Sequence, residues 1–143
     1  MPDLEHAIAL AVKAHSGQTD KVGQPYILHS LRVMLNVEGE LARIVAILHD
    51  VIEDTDYSFD DLREMGYSDA VITALDCVTR RDDETYMEFV ARSKTNLIAR
   101  QVKLADLEDN MDIRRIQSPL RQKDLERLER YRKAWGMLKD TTS

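Results

Sequence analysis

The sequence predicts an all-α fold, a helical bundle of about seven to eight helices, and three observations lead to this prediction. Apolar residues recur at spacings of three and four through most of the chain. No run alternates well enough to indicate a strand. The composition, with 43% hydrophobic and 32% charged residues but only five glycines and three prolines, is typical of a globular protein with few long loops. The length of 143 residues fits one domain, which we assign to residues 1–143.

The first part of the chain predicts two amphipathic helices and a loop between them. A helix from Asp3 to His15 has one apolar face and can be capped by the Asp3 carboxylate. Two glycines and a proline interrupt the pattern from Ser16 to Pro25, which predicts a loop. The helical spacing returns from Tyr26 to Val37.

The stretch from Leu41 to Thr55 predicts a helix in the middle of the bundle, because it is apolar on both faces. It also carries four ionisable side chains, His49, Asp50, Glu53 and Asp54. On one continuous helix these four groups would share an arc, since His49 lies one turn before Glu53 and Asp50 one turn before Asp54. Such groups are costly to bury unless they are paired or bind a metal. The arrangement therefore indicates a site.

The remainder of the chain predicts five more helices, three of which can be capped by the serine at which they start, Ser58, Ser68 or Ser118. In chain order they are Ser58 to Gly66, Ser68 to Val78, Thr85 to Ser93, Asn96 to Asp112, and Ser118 to Leu138 with Pro119 in the first position.

Charge and composition exclude several classes of function. The net charge of −6 disfavours the phosphate-backbone binding of basic proteins, so we expect no nucleic acid polymer as partner. No run approaches the ~20 apolar residues of a membrane helix, and the first residues lack a signal-peptide pattern, so we expect a cytoplasmic protein without a membrane partner. The single cysteine, Cys77, allows no intrachain disulfide. A nucleophile elbow, a P-loop and a dinucleotide fingerprint are all missing from the sequence.

The remaining candidates for a functional site are imidazoles and carboxylates on separate predicted helices. His29, His49, Asp50 and Asp106 would form a mixed nitrogen and oxygen site, which suits Mn²⁺, Fe²⁺ or Zn²⁺ better than Ca²⁺. A metal of this kind holds a phosphate oxygen and lowers the pKa of bound water. Glu53, one turn after His49, is placed to orient or deprotonate that water.

Four segments carry a resemblance to a known family. They are AHSGQTDKVGQPYILHS (14 to 30), AILHDVIEDT (46 to 55), DCVTR (76 to 80) and VKLADLEDNM (102 to 111). In this order and spacing they resemble the hydrolase domain of RelA/SpoT-type alarmone enzymes, within the HD phosphohydrolase superfamily. The resemblance is greatest to small stand-alone alarmone hydrolases, and it implies an HD-domain helical bundle.

The resemblance also implies an activity and a set of site residues. In these enzymes an all-helical domain binds one Mn²⁺ and removes the 3′-pyrophosphate of guanosine tetra- or pentaphosphate. The cofactor expected here is Mn²⁺ or another divalent transition metal. The substrate expected here is thus a small phosphorylated nucleotide. The matching positions imply metal ligands at His29, His49, Asp50 and Asp106, a water-handling pair at Glu53 and Asp54, and nucleotide contacts at Lys21 and Asn110.

Two departures from the family pattern affect substrate specificity. Asp20 stands where the family's hydrolases have an arginine that stacks on guanine, and an acid there loses the stacking plane and would repel phosphates. The segment from Leu107 to Ile113, LEDNMDI, stands where the family typically reads RLHNMRT. We therefore expect a different pocket for the distal part of the nucleotide.

Several alternatives stay open at the level of the sequence. The chain could hydrolyse a different phosphorylated nucleotide, or it could be a non-catalytic metal- and nucleotide-binding sensor that kept the fold. In a third interpretation His49 and Asp50 form a buried hydrogen-bonded pair without a metal. Lys21 in its loop is equally compatible with a solvated surface lysine. The sequence does not indicate an oligomeric state.

Overall fold

The computed structural model describes residues 1–141 and confirms the all-α class. Within that range the chain forms nine α-helices and one short 3₁₀ turn, and its only pairing of β type is an isolated bridge between Thr19 and Pro25. The helices are α1 Leu4–Ala14, α2 Ile27–Leu35, α3 Glu40–Leu48, α4 Val51–Asp54, α5 Phe59–Glu64, α6 Asp69–Cys77, α7 Tyr86–Lys94, α8 Leu97–Asn110 and α9 Gln122–Lys139, with the 3₁₀ turn at Ile113–Arg115. In the described part of the chain no helix has the length and hydropathy needed to cross a bilayer.

Helix α3 lies at the centre of the bundle, as its two apolar faces predict. All residues from Ile44 to Leu48 are fully buried. The helix packs against α1, α2, α6 and α8. Full burial of an isoleucine or leucine side chain contributes about 1.5–3 kcal/mol, so α3 anchors the elements that surround it.

The prediction of one continuous helix from Leu41 to Thr55 is wrong, because α3 ends at Leu48 and α4 begins at Val51. The backbone N–H of His49 donates to Ala46 O three residues earlier, and the ring Nδ1 of His49 lies 2.6 Å from the same oxygen. Asp50 has φ −104° and ψ 2°, which is outside the helical range. The sequence shows no sign of this break, since the apolar spacing continues through it.

The start predicted for the last helix is also wrong. Ser118 does not cap it, and α9 begins at Gln122. Asp124 supplies the cap interaction instead, because its carboxylate accepts the backbone N–H of Arg121 at 2.9 Å. The helix then packs on α7 and α8 over a small cluster of apolar side chains at Val90, Leu107, Ala134 and Leu138.

The caps predicted at Asp3, Ser58 and Ser68 are confirmed, and the structure adds caps at Thr85 and Asn96. The side chains of Asp3, Ser58, Ser68, Thr85 and Asn96 each accept a backbone N–H from the first turn of their helix. These caps fix where α1, α5, α6, α7 and α8 begin.

Candidate metal centre

Four side chains from three parts of the fold converge beside the end of α3. His29 comes from α2, His49 and Asp50 from the junction of α3 and α4, and Asp106 from α8. Nε2 of His49 lies 2.9 Å from Oδ2 of Asp50 and 3.4 Å from Oδ1 of Asp106. Nε2 of His29 lies 3.0 Å from Asp106 Oδ1 and 3.9 Å from Asp50 Oδ2. The structure thus brings together the four residues that the sequence singled out.

The spacing of these atoms fits a divalent transition metal. Potential ligand atoms of His29, His49 and Asp50 all lie within 4.8 Å of one another. Metal bonds to nitrogen and oxygen are about 2.0–2.2 Å long, which puts neighbouring ligand atoms roughly 3 Å apart. Nε2 of His49 is buried and makes no hydrogen bond. Buried polar atoms are almost always satisfied by a partner, and a metal ion would satisfy this nitrogen.

The other nitrogen of each imidazole is held by an acceptor. Nδ1 of His49 lies 2.6 Å from the carbonyl oxygen of Ala46, and Nδ1 of His29 lies 2.6 Å from Oδ2 of Asp109. These acceptors favour the tautomer that carries its hydrogen on Nδ1. Both Nε2 lone pairs then face the two carboxylates.

The electrostatics of the cluster favour a positive charge at its centre. Burial opposes protonation of His49, but the carboxylates of Asp50 and Asp106 outweigh it and raise the pKa of His49 well above its usual range. Burial also opposes ionisation of Asp106, yet Lys103 and the imidazoles hold the pKa of Asp106 well below its usual value. Two ionised carboxylates facing two imidazoles are stabilised by a proton or by a metal cation.

A second set of contacts fixes the two carboxylates. The hydroxyl of Tyr26 donates a hydrogen bond to Oδ2 of Asp50. Lys103 Nζ lies 2.9 Å from Asp106 Oδ2, and the Asn110 amide donates to Asp106 Oδ1 at 3.2 Å. Asn110, which the resemblance assigned to the nucleotide, is therefore in contact with an acid of the cluster.

Glu53 and Asp54 lie on α4, immediately after the break, and both are exposed to solvent. Oε1 of Glu53 accepts the backbone N–H of Arg80 at 2.6 Å. The carbonyl oxygen of Asp54 accepts from Gln18 at 2.9 Å, which ties α4 to the loop before α2. Desolvation by the surrounding atoms, with the nearby Asp50 carboxylate, raises the pKa of both carboxyl groups. A carboxylate with a raised pKa is a better proton acceptor.

Lys21 is exposed in the loop between α1 and α2. Desolvation and the positive charges of Arg127 and Arg130 lower its pKa, so the loop lies close to the basic side of α9. Asp20, by contrast, has a side chain only 8% exposed, and Arg115 lies 3.0 Å from its Oδ2. The Arg115 guanidinium balances the charge of Asp20, so the repulsion between Asp20 and a phosphate should be weaker than the sequence suggests.

Sequence reasoning missed several residues around the site. Tyr26 stood at the start of a predicted helix without an assigned role, and Asp109 was not among the candidate residues. Their partners lie far away in the sequence, as with His29 and Asp109, which are 80 positions apart. The one available signal was the change of charge between Leu107 and Ile113 relative to the family pattern.

Comparison with known proteins points to one group of enzymes. No family model matches the chain. A GTP pyrophosphokinase of Streptomyces coelicolor is 34% identical over 121 residues, which are 76% of this chain and 14% of that protein. The guanosine-3′,5′-bis(diphosphate) 3′-pyrophosphohydrolase of Aquifex aeolicus is 31% identical over 120 residues, 77% of this chain and 17% of that protein. The bifunctional (p)ppGpp synthase/hydrolase SpoT of Escherichia coli is 33% identical over 122 residues, 76% of this chain and 17% of that protein.

The chain spans only 14 to 17% of the length of these relatives. Among solved structures, a metazoan orthologue of SpoT that hydrolyses ppGpp superposes with a TM-score of 0.77 at 25% identity. That alignment covers 96% of this chain and 86% of the metazoan one. The two chains therefore share the helical architecture over most of their length.

Proposed function

Because this chain is a relative of the RelA/SpoT-type enzymes in both sequence and fold, we propose that it is a metal-dependent phosphohydrolase of the HD superfamily. Its substrate would be a guanosine 3′,5′-bis(diphosphate)-like nucleotide, from which it removes the 3′-pyrophosphate. The observation that carries the proposal is the convergence of two imidazole Nε2 atoms and two carboxylates beside the break between α3 and α4.

His29, His49, Asp50 and Asp106 would hold the metal in this proposal. Two nitrogen and two oxygen donors form a borderline-hard set, for which Mn²⁺ is a suitable ion and Ca²⁺ is not. When bound, such an ion polarises a phosphoryl oxygen and lowers the pKa of a water molecule. Tyr26 and Lys103 orient the two carboxylates through the contacts described above.

Glu53 and Asp54 would handle the water that attacks phosphorus. The Arg80 N–H holds Oε1 of Glu53, so Oε2 can accept the proton of the water. As the water oxygen bonds to phosphorus, the bond from phosphorus to the 3′ oxygen breaks. The 3′ oxygen takes up the proton that the carboxyl pair received from the water and leaves as a hydroxyl, and pyrophosphate is released.

Lys21 and Asn110 would contact the phosphates of the nucleotide. Lys21 is exposed and lies on the same side as Arg127 and Arg130, so this region carries the positive charge that an anionic substrate requires. Asn110 contacts Asp106 and thus lies at the margin of the metal centre.

A turnover assay over a panel of phosphorylated nucleotides tests the proposal. Protein loaded with Mn²⁺ is expected to release pyrophosphate from guanosine 3′,5′-bis(diphosphate) faster than from analogues that lack the 3′-diphosphate. If phosphate or pyrophosphate is released only from another nucleotide, the proposed substrate is wrong and that nucleotide takes its place. Tight nucleotide binding without turnover of any panel member would contradict the enzyme and favour the non-catalytic sensor.

A further inference from the structure

Asp109 is a buried carboxylate at the end of α8 that contacts three different partners. Its side chain is 5% exposed. Oδ2 lies 2.6 Å from Nδ1 of His29, while Oδ1 accepts from Nε of Arg32 at 2.7 Å. Nη1 of Arg115 donates to Oδ2 at 2.9 Å. A carboxylate is stable at this depth only when it is paired in this manner.

Arg115 extends the contacts of Asp109 to the loop between α1 and α2. Its Nη2 donates to Oδ2 of Asp20 at 3.0 Å. Oδ1 of Asp20 in turn accepts the backbone N–H groups of Val22 and Gln24, at 3.0 Å and 2.9 Å. A continuous series of hydrogen bonds thus runs from the loop that carries Lys21 to the ring of His29.

The charges in this series balance one another. Asp20 and Asp109 supply two negative charges, and Arg32 and Arg115 supply two positive ones. The series can therefore support His29 without adding net charge to the metal centre. It also connects the two places at which the sequence departs from the family pattern, Asp20 and the segment from Leu107 to Ile113.

We infer that Asp109 is a positioning residue that orients His29 for metal binding and couples that imidazole, through Arg115, to the loop that carries Lys21. The inference rests on the proposed function, since it assigns a role toward the same metal. Asp109 keeps the hydrogen of His29 on Nδ1 and directs Nε2 toward Asp50 and Asp106. A carboxylate acceptor also makes the imidazole a stronger electron donor.

His49 provides a comparison within the same protein. Its Nδ1 faces the main-chain oxygen of Ala46, a neutral acceptor, at the same distance of 2.6 Å. Of the two Nδ1 atoms, only that of His29 faces a charged side chain. A substitution at Asp109 should therefore change the state of His29 and leave His49 as an internal reference.

Metal affinity, measured by calorimetric titration of the full chain with Mn²⁺, is the first test. Asp109→Asn, which keeps one acceptor oxygen and loses the charge, is expected to weaken binding about tenfold, and Asp109→Ala up to about a hundredfold. The matched control is Asp60→Asn, which removes an ion-paired carboxylate from the exposed surface of α5 and should leave the affinity unchanged. Asp109→Asn and Asp109→Ala proteins that are folded and bind Mn²⁺ within twofold of the wild type would overturn the inference.

The ring N–H resonances, recorded without added metal, are the second test. The chain has four histidines, so proteins labelled with ¹⁵N-histidine give a spectrum that can be assigned by single substitutions. In Asp109→Asn the Nδ1–H proton of His29 is expected to move upfield as its hydrogen bond weakens, while that of His49 stays in place. A resonance of His29 that does not move in either Asp109 variant contradicts the role given to Asp109.

The two tests also separate this inference from the proposed function. A wild-type chain that binds no Mn²⁺ overturns the proposed function, and the role of Asp109 toward a metal falls with it. A wild-type chain that binds Mn²⁺ and hydrolyses nucleotide, with Asp109 variants that bind equally well, overturns only the inference. Should Asp109→Ala fail to fold, the Asp109→Asn protein still decides between these outcomes.

Discussion

The ammonium nitrogen of Lys103 lies 2.9 Å from Oδ2 of Asp106, one turn further along α8. Both side chains are largely buried, with 12% and 9% of their surfaces exposed. Burial opposes the charged form of Lys103, but the Asp106 carboxylate outweighs it and raises the pKa of the ammonium group. Lys103 therefore supplies a permanent positive charge beside the candidate metal ligand.

Replacing that charge should destabilise the protein. In Lys103→Met the buried Asp106 carboxylate loses its ammonium partner, so we expect the free energy of unfolding to fall by about 3–5 kcal/mol. A divalent metal should restore part of the loss, because it binds the folded state and neutralises Asp106. Urea unfolding with and without Mn²⁺ measures both effects. Lys13→Met, at an exposed position of α1, is the control, and an equal loss in both variants would contradict the prediction.

Metal binding and turnover should respond differently to two substitutions at the site. His49→Ala removes a candidate ligand, so metal affinity and activity should disappear together. Glu53→Gln keeps the shape of the side chain and removes its ability to take a proton, so metal affinity should stay within about threefold while kcat falls by roughly 10²-fold or more. Calorimetry and a turnover assay on the same preparations provide the comparison. A fully active Glu53→Gln enzyme would show that another group handles the water.

Stability at acidic pH should depend on Glu84. The hydrogen-bonded Arg92 guanidinium, 2.6 Å from the carboxylate, is the main cause that lowers the pKa of Glu84 from 4.5 to about 2. A carboxyl group whose pKa is depressed in the folded state stabilises the fold above its unfolded pKa. That contribution is lost as the pH falls through the folded value. It should therefore be complete above pH 4.5 and disappear toward about pH 2.

Glu84→Gln isolates this contribution. At neutral pH we expect the free energy of unfolding to fall by about 1–3 kcal/mol, since Arg92 also holds the carbonyl groups of Asp76 and Thr79 and loses its charged acceptor. The difference between wild type and variant should shrink as the pH is lowered from 4.5 toward 2. A urea unfolding series against pH measures it. A difference that stays constant over this interval would mean that the pair does not stabilise the fold through its charge.

Asp20→Asn should loosen the loop between α1 and α2. The variant loses the charged partner of Arg115 and weakens the acceptor for the amides of Val22 and Gln24. We expect those two amides to exchange their hydrogens at least tenfold faster, as local opening becomes easier. Hydrogen exchange followed by NMR gives the rates. Asp83→Asn, at an exposed acid of another loop, should leave both rates unchanged.

The helical segments and several of their caps could be predicted from the sequence because they depend on local spacing and on single side chains such as Ser58 and Ser68. The break at His49 and Asp50 could not, since it comes from a ring and a backbone N–H that share Ala46 O. The meeting of His29, His49, Asp50 and Asp106 was expected from residue types and from the family resemblance. Their roles toward a metal remain predictions.

The supporting contacts of the site were beyond sequence reasoning for a physical reason. Asp20 and Arg115 are 95 positions apart, and nothing local marks either residue as a partner of the other. Asp20 was therefore interpreted as an isolated acid that repels phosphate, whereas it is one member of a charge-balanced series. Only the tertiary arrangement of the loop, α2 and the end of α8 makes that series visible.

The oxygen of Ala46 has a consequence for how this centre can be altered. A main-chain oxygen is present whatever amino acid occupies position 46, so no side-chain replacement there deletes the support of His49. The support of His29 comes from a side chain, and a change of one residue removes or replaces it. In engineered or natural variants of this centre, a single substitution can therefore change the support of His29 but not the main-chain support of His49.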